Sequence, residues 1–419
     1  DSSVEVQITF LNQQVNFDEY AKNIDIPEQD DCFNDIRKEY SDMLKMQLSK
    51  GNNGLVKTKY ITFSIKADNL RNAKSRLERI EASVLNNFKV MGAMAEPLNG
   101  VERLKILHDV MNMDTKESFH FHYGMVAKTG LQTKDFIAPT GFDFRNDSYF
   151  RMGQTFGCVS YLQITSPELT DKLLADLLDL EENLIINMHL RPIDPKAAIK
   201  SLKSTLSNIQ KMKIEEQKKA VRSGYDMDIL PTDIVTYEKN TLKLLDDLNT
   251  SNQKLIEITF LITCYGRTKK DLENITQRVS GMIQQANSNF RVLQYLQEQG
   301  LMASAPIGCN ETGIMRNLTT KCAAVLVPFC TQELFMPAPA VYYGLNALSN
   351  NMIMADRKQL RTPNGIILGT PGSGKSFSAK REILSCFLVT RDDIMICDPE
   401  GEYFPLVQAL GGQVVRLAT

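Results

Sequence analysis

Gly369-Thr370-Pro371-Gly372-Ser373-Gly374-Lys375-Ser376 fits the spacing G-x-x-x-x-G-K-[ST] at every constrained position. Each residue type there has a chemical reason. Glycines at 369, 372 and 374 permit a turn tight enough for backbone N–H groups to reach phosphate oxygens. A helix opening directly after the loop adds the partial positive charge of its N-terminus. Lys375 then brings a cation to the β- and γ-phosphates, and the Ser376 hydroxyl offers a ligand to Mg²⁺. The candidate nucleotide-contacting set is Gly369, Thr370, Pro371, Gly372, Ser373, Gly374, Lys375, Ser376 and Phe377. ATP and Mg²⁺ are the expected cofactors, and Lys375 is a candidate catalytic residue.

Such a loop needs a strand before it and a helix after it. Gly365-Ile366-Ile367-Leu368, bounded by Pro363-Asn364, reads as a short buried strand. Lys375 to Val389 reads as a helix with Phe377, Ala379, Ile383, Leu384, Phe387 and Leu388 on its apolar face. A second strand, Asp393 to Asp398, ends in a carboxylate and runs into Pro399-Glu400-Gly401-Glu402-Tyr403. Ligands of open α/β sheets bind at the C-terminal ends of strands, which makes Asp398 and Glu402 candidate catalytic carboxylates facing nucleotide or metal-bound water. Asp398 is equally suited to cap a helix with Pro399 in its first position. A last strand is predicted at Gln413 to Ala418.

The 419 residues give room for two or three domains, and 43% hydrophobic content suffices for ordinary cores. A net charge of −2 excludes a global basic field of the kind that marks dedicated nucleic-acid binders. Eight cysteines without a C-x-x-C pair read as reduced cytosolic thiols. His120 and His122 are predicted on one face of a strand, with no Cys or carboxylate cluster to complete a metal site. No apolar run reaches eighteen residues, so no transmembrane segment is expected. The chain opens at Asp1 inside a strand-like run, so an N-terminal portion is expected to be missing.

The first four-fifths read as mixed α and β. Strands are predicted at 4–11, 57–65, 157–164, 184–190, 255–264, 323–329 and 351–356, and helices at about 68–88, 100–111, 167–180, 195–222 and 232–251. Ile61-Thr62-Phe63, a helix, then Asn87-Phe88-Lys89-Val90 is echoed by Ile258-Thr259-Phe260, a helix, then Asn289-Phe290-Arg291-Val292. Two β-α-β copies or coincidental recurrence both account for it. The helix from Pro195 carries Lys196, Lys200, Lys203, Lys211, Lys218 and Arg222 within one arc, a stripe suited to nucleic acid, an acidic partner, an anionic membrane or plain solvent. Prolines at 337 and 339 mark a linker, placed at 336–345. The expected organisation is an α+β domain over 1–335, divisible near 165, then an α/β P-loop domain over 346–419.

The loop, the following Phe377-Ser378-Ala379-Lys380-Arg381-Glu382 and the run Cys397-Asp398-Pro399-Glu400-Gly401-Glu402-Tyr403 resemble the conjugal-transfer ATPases of type IV secretion systems, the VirB-four-like or TraC-like group. Tyr342 to Asn351 and Lys211 to Ala220 are similar to the form found on integrative conjugative elements of Gram-positive bacteria. The resemblance runs over essentially the whole chain. It implies a cytoplasmic ATPase, peripheral at the inner face of the cell membrane and docked there by other secretion proteins. It further implies an N-terminal docking domain and a RecA-like motor that assembles as a hexamer. Lys375 and Ser376 would then be the nucleotide and Mg²⁺ residues, and Asp398 and Glu402 the acidic motif near them. The family's Walker B carboxylates and arginine finger have no counterpart in these residues, so the chain alone is expected not to turn over ATP. Two other readings stand beside this one: a DNA-pumping motor of the FtsK or HerA type, and a non-catalytic docking fragment of the secretion ATPase.

Overall fold

The computed structural model of the chain describes residues 3–14, 24–50, 55–93, 95–113, 119–163, 172–178, 180, 182–223, 231–251, 253–286, 288–326, 334–336, 339–347, 351–360 and 362–416. It is a mixed α/β protein with one large antiparallel sheet and, among the described residues, twelve α-helices. The chain divides into two compact units, Asp1–Gln13 with Lys57–Pro328, and Gln14–Val56 with Phe329–Thr419.

Among the described residues the first unit is built on nine strands: β1 Val4–Gln14, β2 Leu55–Ile65, β3 Phe142–Asp143, β4 Phe150–Met152, β5 Thr155–Gln163, β6 Leu184–Pro192, β7 Leu255–Gly266, β8 Asn289–Val292 and β9 Arg316–Thr319. Their order is β2-β1-β6-β7-β5-β4-β3, with β8 beside β5 and β9 beside β7. The ladders from β1 through β6, β7 and β5 to β3 are all antiparallel. β7, the longest apolar run in the sequence, lies inside the sheet and is covered on both faces. The period of two sends Ile258, Phe260, Ile262 and Cys264 into one core and Leu261 and Tyr265 into another. The first core is closed by α8, Lys269–Gln285, whose Leu272, Ile275, Val279 and Ile283 form a single stripe. A capping box between Thr268 and Asp271 starts that helix.

The other helices of this unit are α2 Leu70–Val90, α3 Gly100–Met111, α4 Tyr123–Thr129, α5 Lys172–Leu178, α6 Pro195–Arg222, α7 Thr232–Thr250, α9 Gln297–Ser304 and α10 Thr320–Val325. Beneath the second face runs a layer of buried polar side chains. Gln7 Nε2 donates to Asn187 Oδ1 at 2.7 Å and to the Ala305 carbonyl at 2.9 Å, while Gln7 Oε1 accepts the Gly308 N–H at 2.7 Å. Asn187 Nδ2 donates to the Ser304 carbonyl, and His189 Nε2 meets that of Ala303 at 2.8 Å. The segment after α9 is thereby tied to β1 and β6 by satisfied hydrogen bonds.

The second unit contains α1 Asn34–Lys50, the antiparallel hairpin β10 Val341–Leu345 and β11 Met352–Ala355, α11 Lys375–Val389 and α12 Phe404–Ala409. Its core joins Ile24, Leu44 and Leu48 to Ala340, Tyr342, Met352 and Met354. Residues 24–50, assigned by the sequence reading to the N-terminal domain, thus pack with the segment that carries the loop. Residues 341–345, read as linker, form β10.

Several expectations are corrected. Residues 365–368 and 393–398 make no ladder and are not strands, nor are 413–416; Ala418 lies outside the described residues. A strand exists only where a neighbour takes its backbone hydrogen bonds, and among the described residues no ladder includes these segments. Ile366 and Leu368 are 84% and 87% exposed and Met395 is 96% exposed, so the RecA-like sheet expected around the loop is not what the described residues form. Residues 320–325 are helical where a strand was expected from 323, and 327–329 lie outside the described residues. His120 and His122 precede α4, where His122 is the N-cap position, and do not sit on a strand. The sequence echo does not carry into structure, because Asn87–Val90 closes α2 whereas Asn289–Val292 is β8. α6 keeps the predicted bounds, with Asp194 capping and Pro195 in the first turn.

Candidate functional site

The loop at 369–376 and its helix form where their residues require. Gly374 is the N-cap of α11 at φ +89°, a left-handed conformation that costs an L side chain about 1–2 kcal/mol. A Cβ at Gly369 would collide with the Ser373 hydroxyl, which would have to turn away to admit it. The Ser373 N–H donates to the Thr370 carbonyl at 3.2 Å, and the helical ladder begins with Ser378 N–H to the Gly374 carbonyl at 2.9 Å. Among the described residues no side chain caps α11. The first-turn N–H groups of Lys375, Ser376 and Phe377 therefore lack intrahelical partners and are offered at the positive end of a four-turn helix.

Lys375 folds back over the loop: its Nζ donates to the carbonyls of Gly369 at 3.1 Å and Thr370 at 3.2 Å. The loop thus brings together an ammonium, several outward amides and the exposed Ser376 hydroxyl, the donor set that a polyphosphate with a divalent cation calls for. Phe377 is 75% exposed and does not join the apolar face predicted for it. Buried residues of α11 are Ser385, Leu388 and Val389.

Asp398 and Glu402 lie in the turn before α12. Asp398 Oδ1 accepts the N–H groups of Glu400 at 3.2 Å and Gly401 at 3.0 Å, and Oδ2 accepts that of Tyr403 at 2.8 Å. Asp398 shapes the turn, and the helix starts at Phe404 with Pro405 in its first turn, so the capping role predicted for Asp398 and Pro399 belongs to a later position. Lys380, five residues beyond Lys375 on α11, places its ammonium 5.4 Å from the centre of the Tyr403 ring. That contact sets the acidic turn against the first half of the loop helix. Among the described residues no group of three or more His, Cys, Asp or Glu could hold a metal by itself.

The groups that hold α11 come from far away in sequence. Arg37 of α1, 1% exposed, donates Nε–H to the carbonyl of Leu388 at 3.0 Å, and Gln29 Nε2 reaches the same carbonyl at 3.3 Å. Two paired N–H···O bonds join Arg37 to Asp31, at 2.5 and 2.6 Å, and hold the Asp31 carboxyl down to about 2, helped by the Phe33 amide. Tyr40 and Ser385 share a hydrogen bond of 2.9 Å, and the Phe33 ring meets Phe387 edge-on at 5.3 Å. From the other side, Arg381 donates to the carbonyls of Tyr342 and Tyr343 on β10. Glu382 accepts from the Tyr343 hydroxyl at 2.9 Å and pairs with Arg357 at 3.0 Å. Burial and the Glu382 carboxylate push the Tyr343 phenol up to about 12. Arg357 also packs on the backbone of Gly365 at the entry to the loop.

None of these supports was read from the sequence. A signal for α1 exists in Tyr40, Leu44 and Leu48, spaced by four, but nothing local connects that face to α11. The chain matches no protein-family model, and no curated protein matches it.

Proposed function

We propose that the chain binds ATP·Mg²⁺ through 369–377 and is the nucleotide-binding part of an ATPase that energises conjugative transfer of DNA and protein through a type IV secretion system. The observation that carries the nucleotide reading is the Lys375 ammonium bonded to the carbonyls of Gly369 and Thr370, at the mouth of an uncapped helix N-terminus. Bound phosphates would take over that ammonium and the amides of Lys375, Ser376 and Phe377, each a charge-assisted bond of about 1.5–3 kcal/mol. Ser376 would hold Mg²⁺, which neutralises charge on the phosphates. Glu402 and Asp398 are the candidate carboxylates, in the turn that the Lys380–Tyr403 contact sets against the loop helix, with Asp398 acting through the turn that carries Glu402.

The secretion reading rests on the resemblance of the loop, the 397–403 run, 342–351 and 211–220. So do a hexameric assembly, contacts with membrane-complex proteins and a peripheral cytoplasmic location. Among the described residues no helix is long and apolar enough to cross a membrane, which agrees with docking in place of insertion. A non-catalytic docking role is the second reading, favoured by one observation: both carboxylate oxygens of Asp398 are taken by backbone amides. Titration of ATP with and without Mg²⁺ into wild-type protein and Lys375→Ala tests the first reading. Saturable, Mg²⁺-strengthened binding lost in the variant supports it, and binding unchanged by the variant refutes it.

A further inference from the structure

α6 spans 28 residues, about 42 Å at 1.5 Å per residue, yet Ala198 is its single buried residue. It packs chiefly on α7, which buries Ile234 and Leu245. The two helices form a surface hairpin with long outer faces. At 100° per residue, Lys196, Lys200, Lys203, Lys211, Lys218 and Arg222 fall within an arc of about 100°, and all six are exposed.

The other two lysines of α6 lie off that arc and are neutralised within the hairpin. Lys213 pairs with Glu238 of α7 at 2.8 Å, and Lys219 with Glu216 at 2.5 Å. Among the described residues none of the six on the arc makes an ion pair. Two aliphatic side chains sit inside the same arc, Ile214 and Val221, 50% and 49% exposed. Taken singly such aliphatics are ordinary on a surface helix, but here two of them share the arc with six unpaired cations. A nucleic acid would engage the cations through its phosphates but gain nothing from isoleucine and valine. An anionic bilayer surface engages both, headgroups pairing with the cations and the acyl boundary taking the aliphatic tips, while lysine stems lie along the interface.

We propose that the outer face of α6 docks directly on an anionic lipid surface. This deepens the peripheral location of the proposed function and is independent of the nucleotide reading. Flotation of the full 419-residue chain with vesicles tests it. Phosphatidylcholine vesicles with about one third phosphatidylglycerol are compared with phosphatidylcholine alone, and duplex DNA is titrated in parallel. Each cation near such a surface adds about fivefold to binding. The combined Lys200→Gln, Lys203→Gln, Lys211→Gln and Lys218→Gln variant should therefore lose at least tenfold on anionic vesicles, and Ile214→Ser with Val221→Ser should lose several-fold. All six positions are exposed, so far-ultraviolet circular dichroism should be unchanged in both variants, and Lys375→Ala should float like wild type. The proposal is overturned by equal binding to neutral and anionic vesicles or by no flotation. It is equally overturned by DNA binding that is lost with the lysines, indifferent to the serines and unaccompanied by vesicle binding.

Discussion

Arg37 holds the carbonyl of Leu388 at 3.0 Å, so a side chain from the beginning of the chain caps the far end of the helix that opens at the phosphate loop. A buried guanidinium fixed by Asp31 fills a position that water or a C-capping glycine fills on other helices. Removing it leaves the Leu388 carbonyl only the longer bond from Gln29 and returns the Asp31 carboxylate to water. Arg37→Ala should destabilise the second unit by about 1–2 kcal/mol in chemical denaturation, through the lost bond to Leu388 and the lost packing of a buried side chain. Arg37→Lys should recover little of this, because a point ammonium cannot make the paired bonds to Asp31 and reach Leu388 as well.

The same pair makes stability depend on pH in one window. Asp31 titrates at about 2 in the folded chain, below the ordinary carboxylate value near 4. A lowered folded pKa contributes stability that is full above the unfolded value and is lost as pH falls through the folded one. The denaturation midpoint of wild type should therefore drop between about pH 4 and pH 2 relative to Asp31→Asn, and the two should run parallel above about pH 5. Parallel curves throughout would show that the pair contributes nothing to stability.

Asp398 offers a test of role. If its work is to shape the turn through the amides of Glu400, Gly401 and Tyr403, Asp398→Ala should cost about 1–2 kcal/mol. Nucleotide affinity and its Mg²⁺ dependence should then change little. A collapse of Mg²⁺-dependent binding at preserved stability would instead place its carboxylate on the metal.

In the first unit, Gln7 is 1% exposed and satisfies Asn187, Ala305 and Gly308 together. Gln7→Leu keeps the volume and removes every bond, leaving the half-buried Gly308 amide without its acceptor and the Ala305 carbonyl with the Ile307 amide alone. A loss of about 2–3 kcal/mol in unfolding free energy is expected, with faster amide exchange at Gly308.

Local rules account for what the sequence made visible. β7 was legible because alternation and length agree over Leu255–Gly266, and α6 because Asp194 and Pro195 mark its start and a single polar face marks its course. Gly374 and Lys375 announced both the loop and the first residue of α11. The strands predicted at 365–368 and 393–398 failed for a non-local reason. An apolar run such as Ile366-Ile367-Leu368 reports a preference for burial but does not supply the neighbour that would pair with it. The supports of α11 were hidden for the same reason, since Arg37 and Leu388 are 351 residues apart and neither carries a local mark of the other.

Gly374→Ala places a Cβ at φ +89°, so it should lower stability by about 1–2 kcal/mol and nucleotide affinity with it. Calorimetric titration of the variant and wild type with ATP·Mg²⁺, beside thermal unfolding of both, checks the coupling. A variant that binds as tightly as wild type would mean that the loop geometry is not used for phosphate.

The measurement that bears most directly on the nucleotide-binding reading is isothermal titration of ATP·Mg²⁺ into wild type and Lys375→Ala under one set of conditions. Lys375 is partly exposed and its bonds to Gly369 and Thr370 are within the loop, so the variant should remain folded. Loss of one charge-assisted contact of about 1.5–3 kcal/mol corresponds to a tenfold to hundredfold rise in Kd. Saturable binding by wild type with that rise in Lys375→Ala is the expected result; no binding by folded wild type, or an equal Kd in both proteins, would contradict it.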